Sequence, residues 1–590
     1  VKYYLWAIGD WLKAYRVGEL LCDRYFLKQP QIVLDTKPGL PTQGTEEVPD
    51  RLLPYLKLFP YRLHIPQIYS YIPSPDDQLN LEIWLLEYGS IPTDASGELK
   101  YPELLPQLTQ MWAEASALRQ LNWLWQISQL WQPLQSRGVA SSLLNPSLLR
   151  VNGRTIQLLE LQTDTQPAPS LQQLGQFWSQ WIANASPHLS DFLQELCQHL
   201  EQGIITQSQQ LLDLLARGSY HCGRSQQRIY QIFTATDAGP TRDHNEDACY
   251  PPSGEFIRVD AQENPLAIVC DGIGGQDGGE IASQLAIKTL LEEVKHLSLS
   301  GEWNPQRHIE SLDNAICATN DLISQRNDRE QRQDRQRMGT TLVMSFADAH
   351  EMYLAHVGDS RAYWITPTSC HQVTVDDDLA SREVRLGYLL YRDAIQYPNS
   401  GALVQALGMS ASTSLRPTVQ RLIIDEDCVF LLCSDGLSDY DRVEQYWDSE
   451  IVPILSGEKD VAEVGKRLLE IANQQNGHDN VTVALVYCQV QPKEEIEDIP
   501  LAFPTIDFSV AAVSASQTSE ETIDEITTQT PTQPFSSEDP PQPKQSWRWF
   551  PLFITLGLVG LGAVVLAITH SKPSESPLTP STPSPSIRKL

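Results

Sequence analysis

Basic side chains are scarce in this 590-residue chain, which has 43 Lys and Arg against 74 Asp and Glu and a formal net charge of −31. Nucleic-acid-binding proteins neutralise phosphates with Lys and Arg, so this balance excludes nucleic acid as the principal partner. Paired cysteines are missing too, because the ten cysteines run from Cys22 to Cys488 without one CxxC spacing. This pattern excludes a disulfide scaffold and a zinc ribbon and predicts reduced thiols in a cytosolic folded portion.

The first residues, VKYYLWAIGDWLKAYR, lack the basic, apolar and small-residue order of a secretory signal, so export is not expected. One apolar stretch of twenty residues, 549–568, carries no charge. As a helix it would cross a hydrocarbon core of about 30 Å, so a single transmembrane helix is predicted there. Lys544 and Arg548 before the span, against Lys572 after it, predict that the part of the chain before the span faces the cytoplasm.

The chain length predicts two to four domains, and 41% apolar residues are enough to form sizeable cores. Residues 1–220 hold nine of the fourteen tryptophans and many Leu-rich amphipathic runs, which predict a mostly helical domain. Residues 489–546 contain eleven carboxylates against two lysines and predict an acidic disordered linker. The tail at 569–590 is rich in Ser and Pro.

Residues 228–488 show a different sequence pattern, with short strand-like runs interrupted by helical stretches. The predicted class is α+β with a large antiparallel sheet component. Strands are predicted at 266–270, 341–347, 352–357, 362–366, 428–433 and 481–488, and helices at 280–297, 306–326 and 460–475.

Carboxylates recur in this second domain where strands end, beside Gly, Asn or Ser. They fall in five blocks: TDAGPTRDHNEDA (236–248), VCDGIGGQDGGE (269–280), HVGDSRAY (356–363), LLCSDGLSDY (431–440) and GHDNVTVALV (477–486). A single strand-end Asp is usually a turn or cap residue, but five blocks together predict a shared site.

The candidate ligands in these blocks are Glu246, Asp247, Asp271, Asp435 and Asp479, all hard oxygen donors. Such a set favours Mg²⁺ or Mn²⁺ over zinc. Clustered carboxylates repel one another and raise each other's pKa values, a conflict that two divalent ions would remove. Two such ions bridge a water and hold it in line with a phosphoryl group, which predicts hydrolysis without a protein nucleophile.

The five blocks, in this order, resemble the type 2C protein phosphatases, the PPM family of metal-dependent Ser/Thr phosphatases. The resemblance covers 228–488 and implies an antiparallel β-sandwich flanked by helices (αββα), with a dimetal site at one end. It also implies phosphoserine and phosphothreonine proteins as substrates, Mn²⁺ or Mg²⁺ as cofactor, and a cognate Ser/Thr kinase as a partner.

The resemblance also implies roles for individual residues. Asp271 bridges both ions, and Gly272 contributes its backbone carbonyl. Asp247 belongs to the metal site but orients water rather than binding an ion directly. The remaining roles are the first ion for Asp435 and Asp479, the second ion for Glu246, a phosphate clamp for Arg242, and a weaker third metal site for Asp359 and Asp439.

The chain departs from the family pattern at several positions. Ile273 stands where animal members have a His that protonates the leaving oxygen, so another donor is needed. His244 and His478 lie inside the motifs, but a motif histidine is more often structural. Residues 373–408 lie where the family has its flap beside the substrate groove, with Asp377 where a His is common. MGTT (338–341) also matches, and its expected role is to start a core strand.

A second resemblance lies in the first domain. GVASSLLNPSLLRV (138–151) resembles the catalytic loop of eukaryotic-type protein kinases, LLEYG (85–89) stands at the hinge, and IQLLELQ (156–162) stands at the DFG segment. The catalytic groups are replaced, because Leu143 and Leu148 can neither accept a hydroxyl proton nor bind magnesium. Two interpretations stay open: a degenerate kinase-like regulatory domain, and an unrelated helical domain.

The predicted function is a membrane-anchored, metal-dependent protein serine/threonine phosphatase. One alternative is a membrane-anchored signalling scaffold whose phosphoprotein-binding domain is weakly active. Another is hydrolysis of a small phosphorylated metabolite.

Overall fold

In the computed structural model, the structure describes these residues: 3–42, 48–73, 82–87, 91–93, 97–101, 103–260, 264–274, 278–298, 303–333, 336–493 and 501–503. All of them belong to one compact unit, Val1–Phe508. None of the helices within these ranges combines the length and apolar character needed to cross a membrane. The predicted span at 549–568, the tail and most of the linker lie outside the described residues.

The N-terminal domain begins with a six-stranded antiparallel sheet in the order β2-β3-β4-β1-β6-β5. Its strands are β1 (Tyr3–Ile8), β2 (Leu20–Leu21), β3 (Tyr25–Gln29), β4 (Ile32–Asp35), β5 (Gln67–Ile72) and β6 (Ile83–Glu87). The prediction of a mostly helical domain missed this sheet. Apolar side chains are buried on both faces, Trp6 in one core cluster and Leu5 in another, so the alternation that marks a half-buried strand is missing.

Helices dominate the rest of the N-terminal domain, as predicted. They are α1 (Leu53–Lys57), α2 (Leu108–Met111), α3 (Ala117–Ser136), α4 (Leu171–Ser179), α5 (Ser190–Glu201) and α6 (Ser208–Gly223). The hydroxyl of Ser116 caps α3 by accepting from the Arg119 amide at 3.2 Å. The segment that resembles a kinase catalytic loop forms a 3₁₀ turn at Ala140–Leu144, followed by the hairpin β7 (Leu149–Asn152) and β8 (Thr155–Leu158).

The second domain contains two antiparallel sheets, in the orders β10-β12-β15-β16-β19 and β11-β9-β21-β20-β17-β18. The first comprises β10 (Ala248–Tyr250), β12 (Leu266–Cys270), β15 (Leu342–Asp348), β16 (Glu351–Val357) and β19 (Thr418–Ile423). The second comprises β9 (Gln226–Asp237), β11 (Phe256–Asp260), β17 (Arg361–Thr366), β18 (Ser369–Gln372), β20 (Cys428–Cys433) and β21 (Val481–Pro492). A two-stranded ribbon joins β13 (Gly272–Ile273) to β14 (Gly339–Thr340).

Helices pack on the outer faces of both sheets. They are α7 (Gly278–Ser298), α8 (Pro305–Arg329), α11 (Asp435–Ser438), α12 (Arg442–Tyr446), α13 (Val452–Leu455) and α14 (Val461–Gln475). Two further helices, α9 (Leu379–Leu386) and α10 (Tyr391–Ala394), pack instead on the N-terminal domain. Ala286 of α7 and Ile316 of α8 share a core with the first sheet, whereas Leu468 of α14 packs on the second. Side chains of both sheets meet in a third cluster between them. All six predicted strands and three predicted helices of this domain are present, with ends that differ by at most four residues.

Candidate active site

Loops from both sheets and from the β13–β14 ribbon meet at a cleft of about 220 Å³. Most of the residues predicted for the site line it, although they come from all five sequence blocks. They are Arg242, Glu246, Asp271, Gly272, Asp359, Asp435 and Asp479. The cleft is also lined by Ile273, Gly274, Thr341, Leu403 and Asn480.

The side-chain amide of Asn480 makes three hydrogen bonds to the loop that carries Arg242, Glu246 and Asp247. Its Oδ1 accepts from the Glu246 amide at 2.8 Å. Its Nδ2 donates to the carbonyls of Ala238 at 2.8 Å and His244 at 2.9 Å. Asn480 is 5% exposed, so these bonds are shielded from water. The loop is therefore fixed to the start of β21.

Asp247 lies behind the cleft lining and is buried, with 7% of the residue exposed. Its Oδ2 accepts from the hydroxyls of Ser434 at 2.8 Å and Thr482 at 2.7 Å. Burial raises the pKa of Asp247 to about 7, although both hydroxyls favour the charged form. Its other oxygen, Oδ1, is buried without a hydrogen-bond partner.

Asp271 follows β12 and is fixed through its backbone. Its amide donates to Thr341 Oγ1 at 3.0 Å, and its carbonyl accepts from the Thr341 amide at 2.8 Å. The carboxyl group stays free of these bonds and lines the cleft. Burial, followed by the charges of Asp247 and Asp435, raises the pKa of Asp271 well above its usual range.

Glu246 approaches the backbone of Gly272 and Gly279 very closely. A Cβ atom on Gly272 would come within 2.5 Å of the Glu246 carbonyl oxygen, and one on Gly279 within 2.8 Å of the Glu246 carboxyl. Only glycine fits at either position. Burial raises the pKa of the Glu246 carboxyl, while Arg242 and the Gly279 amide act in the opposite direction. The Gly-rich block therefore lets a carboxylate and a backbone carbonyl share the cleft.

Asp435 begins α11, and Asp479 precedes β21. Burial and the charges of Asp439 and Asp479 raise the pKa of Asp435 to about 6, and Asp435 Oδ1 is buried without a hydrogen-bond partner. Arg242 Nη2 donates to Asp479 Oδ2 at 2.6 Å, and its Nε donates to the His478 carbonyl at 3.2 Å. The guanidinium thus lies at the edge of the carboxylate group, with its side chain 46% exposed.

The residues predicted for a third metal site differ in position. Asp359 lines the cleft, and burial together with the charges of Asp435 and Asp376 raises its pKa to about 8. Asp439 is not part of the lining, and its Oδ2 lies 3.4 Å from His478 Nε2.

The donor chemistry fits divalent cations. Two buried carboxylate oxygens, on Asp247 and Asp435, have no hydrogen-bond partner, and the pKa values of several neighbouring carboxyls are raised by burial and by each other. Cations would satisfy both conditions. Within the described parts of the chain, however, no three His, Cys, Asp or Glu side chains are already arranged as a metal-ligand set.

Comparison with known proteins shows the family of the domain that contains this cleft. The family model for protein phosphatase 2C matches residues 241–481. The chain is 31% identical over 257 residues to the serine/threonine phosphatase Stp of Listeria welshimeri, and the match covers 42% of this chain and 93% of that relative. The chain belongs to the protein phosphatase 2C family. The prediction of a metal-dependent protein serine/threonine phosphatase is confirmed.

Another member of the protein phosphatase 2C family is the serine/threonine protein phosphatase PstP of Mycobacterium tuberculosis. It is 30% identical over 270 residues, which are 45% of this chain and 47% of PstP. A solved structure of the PstP catalytic domain in complex with two manganese ions is 30% identical and covers 44% of this chain and 99% of its own, with a TM-score of 0.35. The residues that match the family model, 241–481, lie in the second domain.

Several residues that build the site were missed by sequence reasoning. Asn480 stands beside a predicted ligand, Thr341 lies in the matched MGTT segment, and Ser434 and Thr482 lie within two of the acidic blocks. Each acts through short hydrogen bonds to a loop or to a carboxylate. Their position next to the acidic residues was the available signal, but Ser, Thr and Asn occur at many turns and do not stand out by type.

Proposed function

We propose that this phosphatase hydrolyses phosphoserine and phosphothreonine monoesters of proteins in the acidic cleft, with Mn²⁺ or Mg²⁺ as the cofactor. The observation that carries the proposal is the meeting of carboxylates from distant blocks, together with the mutual elevation of their pKa values. Binding of divalent cations would offset the cost of gathering these carboxylates.

The proposed ligands are Asp271 between both ions, Asp435 and Asp479 at the first ion, and Glu246 with the Gly272 carbonyl at the second. When bound, two divalent ions lower the pKa of a water molecule and orient it in line with the phosphorus. Asp359 and Asp439 are proposed for a weaker third site; the cleft position of Asp359 supports this, whereas Asp439 stands outside the lining.

Arg242 is proposed to hold the phosphoryl group. Its planar guanidinium matches two phosphate oxygens, and its half-exposed position at the cleft edge leaves it accessible to substrate. Its bond to Asp479 keeps the guanidinium next to the proposed ligands. Asp247, fixed by Ser434 and Thr482, would accept a proton from water and orient it through its unpartnered oxygen. Ile273 cannot protonate the leaving oxygen, so another group has to donate that proton, and a water molecule is the proposed donor ahead of His244 and His478.

The direct test uses the full chain, a phosphothreonine peptide and Mn²⁺. We expect phosphate release that stops in EDTA, and loss of turnover in Asp271→Asn, because the variant removes the charge at the centre of the proposed site. Asp243→Asn is the matched control, since this exposed Asp lies in the loop that carries Arg242 and Glu246 but is outside the cleft lining. Full activity in EDTA would exclude the mechanism.

The same assay separates the alternative functions. Binding of the phosphopeptide without phosphate release would favour the scaffold interpretation. Faster hydrolysis of small phosphorylated metabolites than of phosphopeptides at equal concentration would favour a metabolite substrate.

We further propose that residues 1–220 form a kinase-like domain that does not transfer phosphate. The support is the order of a β-sheet, a long helix α3, the turn at Ala140–Leu144 and a hairpin, which follows the sequence resemblance. Glu160, at the position of the DFG aspartate, accepts a hydrogen bond from Trp6 Nε1 at 2.8 Å instead of facing an open nucleotide site. Measurable phosphotransfer from ATP by the purified chain would contradict this proposal.

The membrane anchor at 549–568, with the catalytic domain on the cytoplasmic side, remains a proposal from sequence, as does a cognate Ser/Thr kinase. The support for the membrane anchor is the uncharged, apolar twenty-residue stretch. Recovery of the full chain in the soluble fraction after high-salt lysis would contradict the anchor.

A further inference from the structure

The segment 373–408, predicted to be the flap beside the substrate groove, connects the cleft with the N-terminal domain. It contains α9 and α10. Leu403 near its end lines the cleft. Apolar side chains of both helices, among them Val384 of α9 and Ala394 of α10, lie in the main hydrophobic core of the N-terminal domain. The flap therefore packs on the N-terminal domain, although it lies beside the active site of the phosphatase domain.

At the cleft, the flap is fixed through Asp377. The carboxylate Oδ2 of Asp377 accepts from the Gly358 amide at 3.0 Å and from Gln405 Nε2 at 2.7 Å. The Asp377 amide donates to the Gly358 carbonyl at 3.0 Å. Gly358 directly precedes Asp359, which lines the cleft. The first residues of the flap are therefore attached to the loop beside the cleft.

At the other end, Arg392 attaches the flap to the N-terminal sheet. Its guanidinium stacks over the ring of Tyr69 at 4.2 Å, and its Nη2 donates to the Pro38 carbonyl at 3.1 Å. Next to it, the ring of Tyr391 lies 5.4 Å from the ring of Phe59. These contacts combine a cation–π interaction, a hydrogen bond and an aromatic pair across the domain boundary.

Backbone hydrogen bonds link the two ends of the flap. The Leu379 amide donates to the Ala402 carbonyl at 3.0 Å, and the Val404 amide donates to the Asp377 carbonyl at 2.8 Å. The start of α9 and the residues beside Leu403 are thus bonded to each other. A movement of α9 and α10 on the N-terminal domain would be passed to the cleft.

The flap also exposes apolar surface. Tyr388 is 67% exposed and Tyr397 57%, and Val404, beside the cleft-lining Leu403, is 44% exposed. Because Val404 adjoins the cleft lining, the apolar surface at this side chain is placed to contact the polypeptide that flanks the phosphorylated residue of a protein substrate. A small phosphoester would reach the carboxylates without touching it.

We propose that the N-terminal domain holds the flap in position and thereby determines how well phosphoprotein substrates bind, with Arg392 as a positioning residue. The inference rests on the proposed function of the cleft. It assigns the first domain a role in substrate selection by the second. Hydrolysis of small phosphoesters does not depend on the contact.

The test compares Arg392→Ala with Arg382→Ala in the full chain. Arg382 is also a flap arginine, but its side chain is 54% exposed and pairs with the adjacent Glu383. We expect amide hydrogen exchange across 391–404 to become about 10-fold faster in Arg392→Ala and to stay unchanged in Arg382→Ala. We expect KM for phosphorylated casein to change at least about fivefold, with kcat and the hydrolysis of p-nitrophenyl phosphate within about twofold.

Equal exchange in the two variants would overturn the proposed attachment. Faster exchange with an unchanged KM, or with equal losses on both substrates, would overturn the role in substrate selection. Phe59→Leu, which removes the contact with Tyr391 but keeps an apolar side chain, should act in the same direction if Arg392→Ala does not fold. Because hydrogen exchange does not require catalysis, an inactive wild-type protein would contradict the proposed function while the attachment is still decided.

Discussion

Replacing Asn480 with alanine should release the loop that brings Arg242, Glu246 and Asp247 to the cleft. The side chain makes three hydrogen bonds to backbone groups of that loop, at 2.8, 2.8 and 2.9 Å. At about 1 kcal/mol for each buried bond, the free energy of local opening should fall by about 3 kcal/mol. Every 1.4 kcal/mol is a factor of ten, so amide exchange in 238–248 should become about 100-fold faster.

The catalytic efficiency should also fall when the loop is released. Misplacing reacting groups by about 1 Å costs on the order of 100-fold in rate, so kcat/KM for a phosphothreonine peptide should drop by about that factor. Asn473→Ala is the matched control, because the side chain of Asn473 donates one hydrogen bond, to Asp237 Oδ1 at 3.1 Å. Its effect should stay within about 1 kcal/mol. Similar exchange and activity in the two variants would refute the proposed role of Asn480.

Further predictions concern the phosphate clamp, the cations and pH. Arg242→Ala should lower kcat/KM for phosphopeptide about 10- to 100-fold in steady-state assays, because a charge-assisted hydrogen bond contributes about 1.5–3 kcal/mol. A change under twofold would exclude Arg242 as the phosphate clamp. Mn²⁺ at about 100 times its Kd should stabilise the native protein by about 2.7 kcal/mol. The melting temperature of the wild-type protein should therefore rise, whereas that of Asp271→Asn should not. An equal rise in both proteins would show that the ions bind elsewhere. Burial lowers the pKa of His350 to about 3, whereas in the unfolded chain it is about 6.5. Between pH 7 and 5 the unfolded state therefore gains a proton that the folded state does not, and this should cost about 2 kcal/mol of stability. Chemical denaturation of His350→Gln should show a correspondingly smaller loss on acidification, and an identical pH dependence would contradict the shift.

Local patterns predicted the phosphatase domain well because its strands carry strong signals. LAIVC and CVFLLC are short apolar runs bounded by Asp, Gly or Ser, and they form β12 and β20 with the predicted ends. The N-terminal sheet was missed for the opposite reason. Its strands are short and buried on both faces, so their sequence resembles that of a buried helix.

The active site was predictable by residue type but not in its supporting structure. Carboxylates beside glycines are recognisable in the sequence, whereas the bonds of Asn480 and Thr341 depend on partners from distant blocks. The packing of α9 and α10 on the first domain is also a tertiary property. Val384 and Ala394 look like ordinary helix-core residues, and nothing local indicates that their core belongs to the other domain.

The central claim is that carboxylates from distant parts of the chain hold two divalent ions in one cleft. Anomalous diffraction from crystals of the protein grown with Mn²⁺ would test it most directly. We expect two peaks about 3.5–4 Å apart between Glu246, Asp271, Asp435 and Asp479, with the Asp271 carboxylate touching both. Peaks elsewhere, or none in this cleft at saturating Mn²⁺ in a preparation that hydrolyses phosphopeptide, would contradict the account.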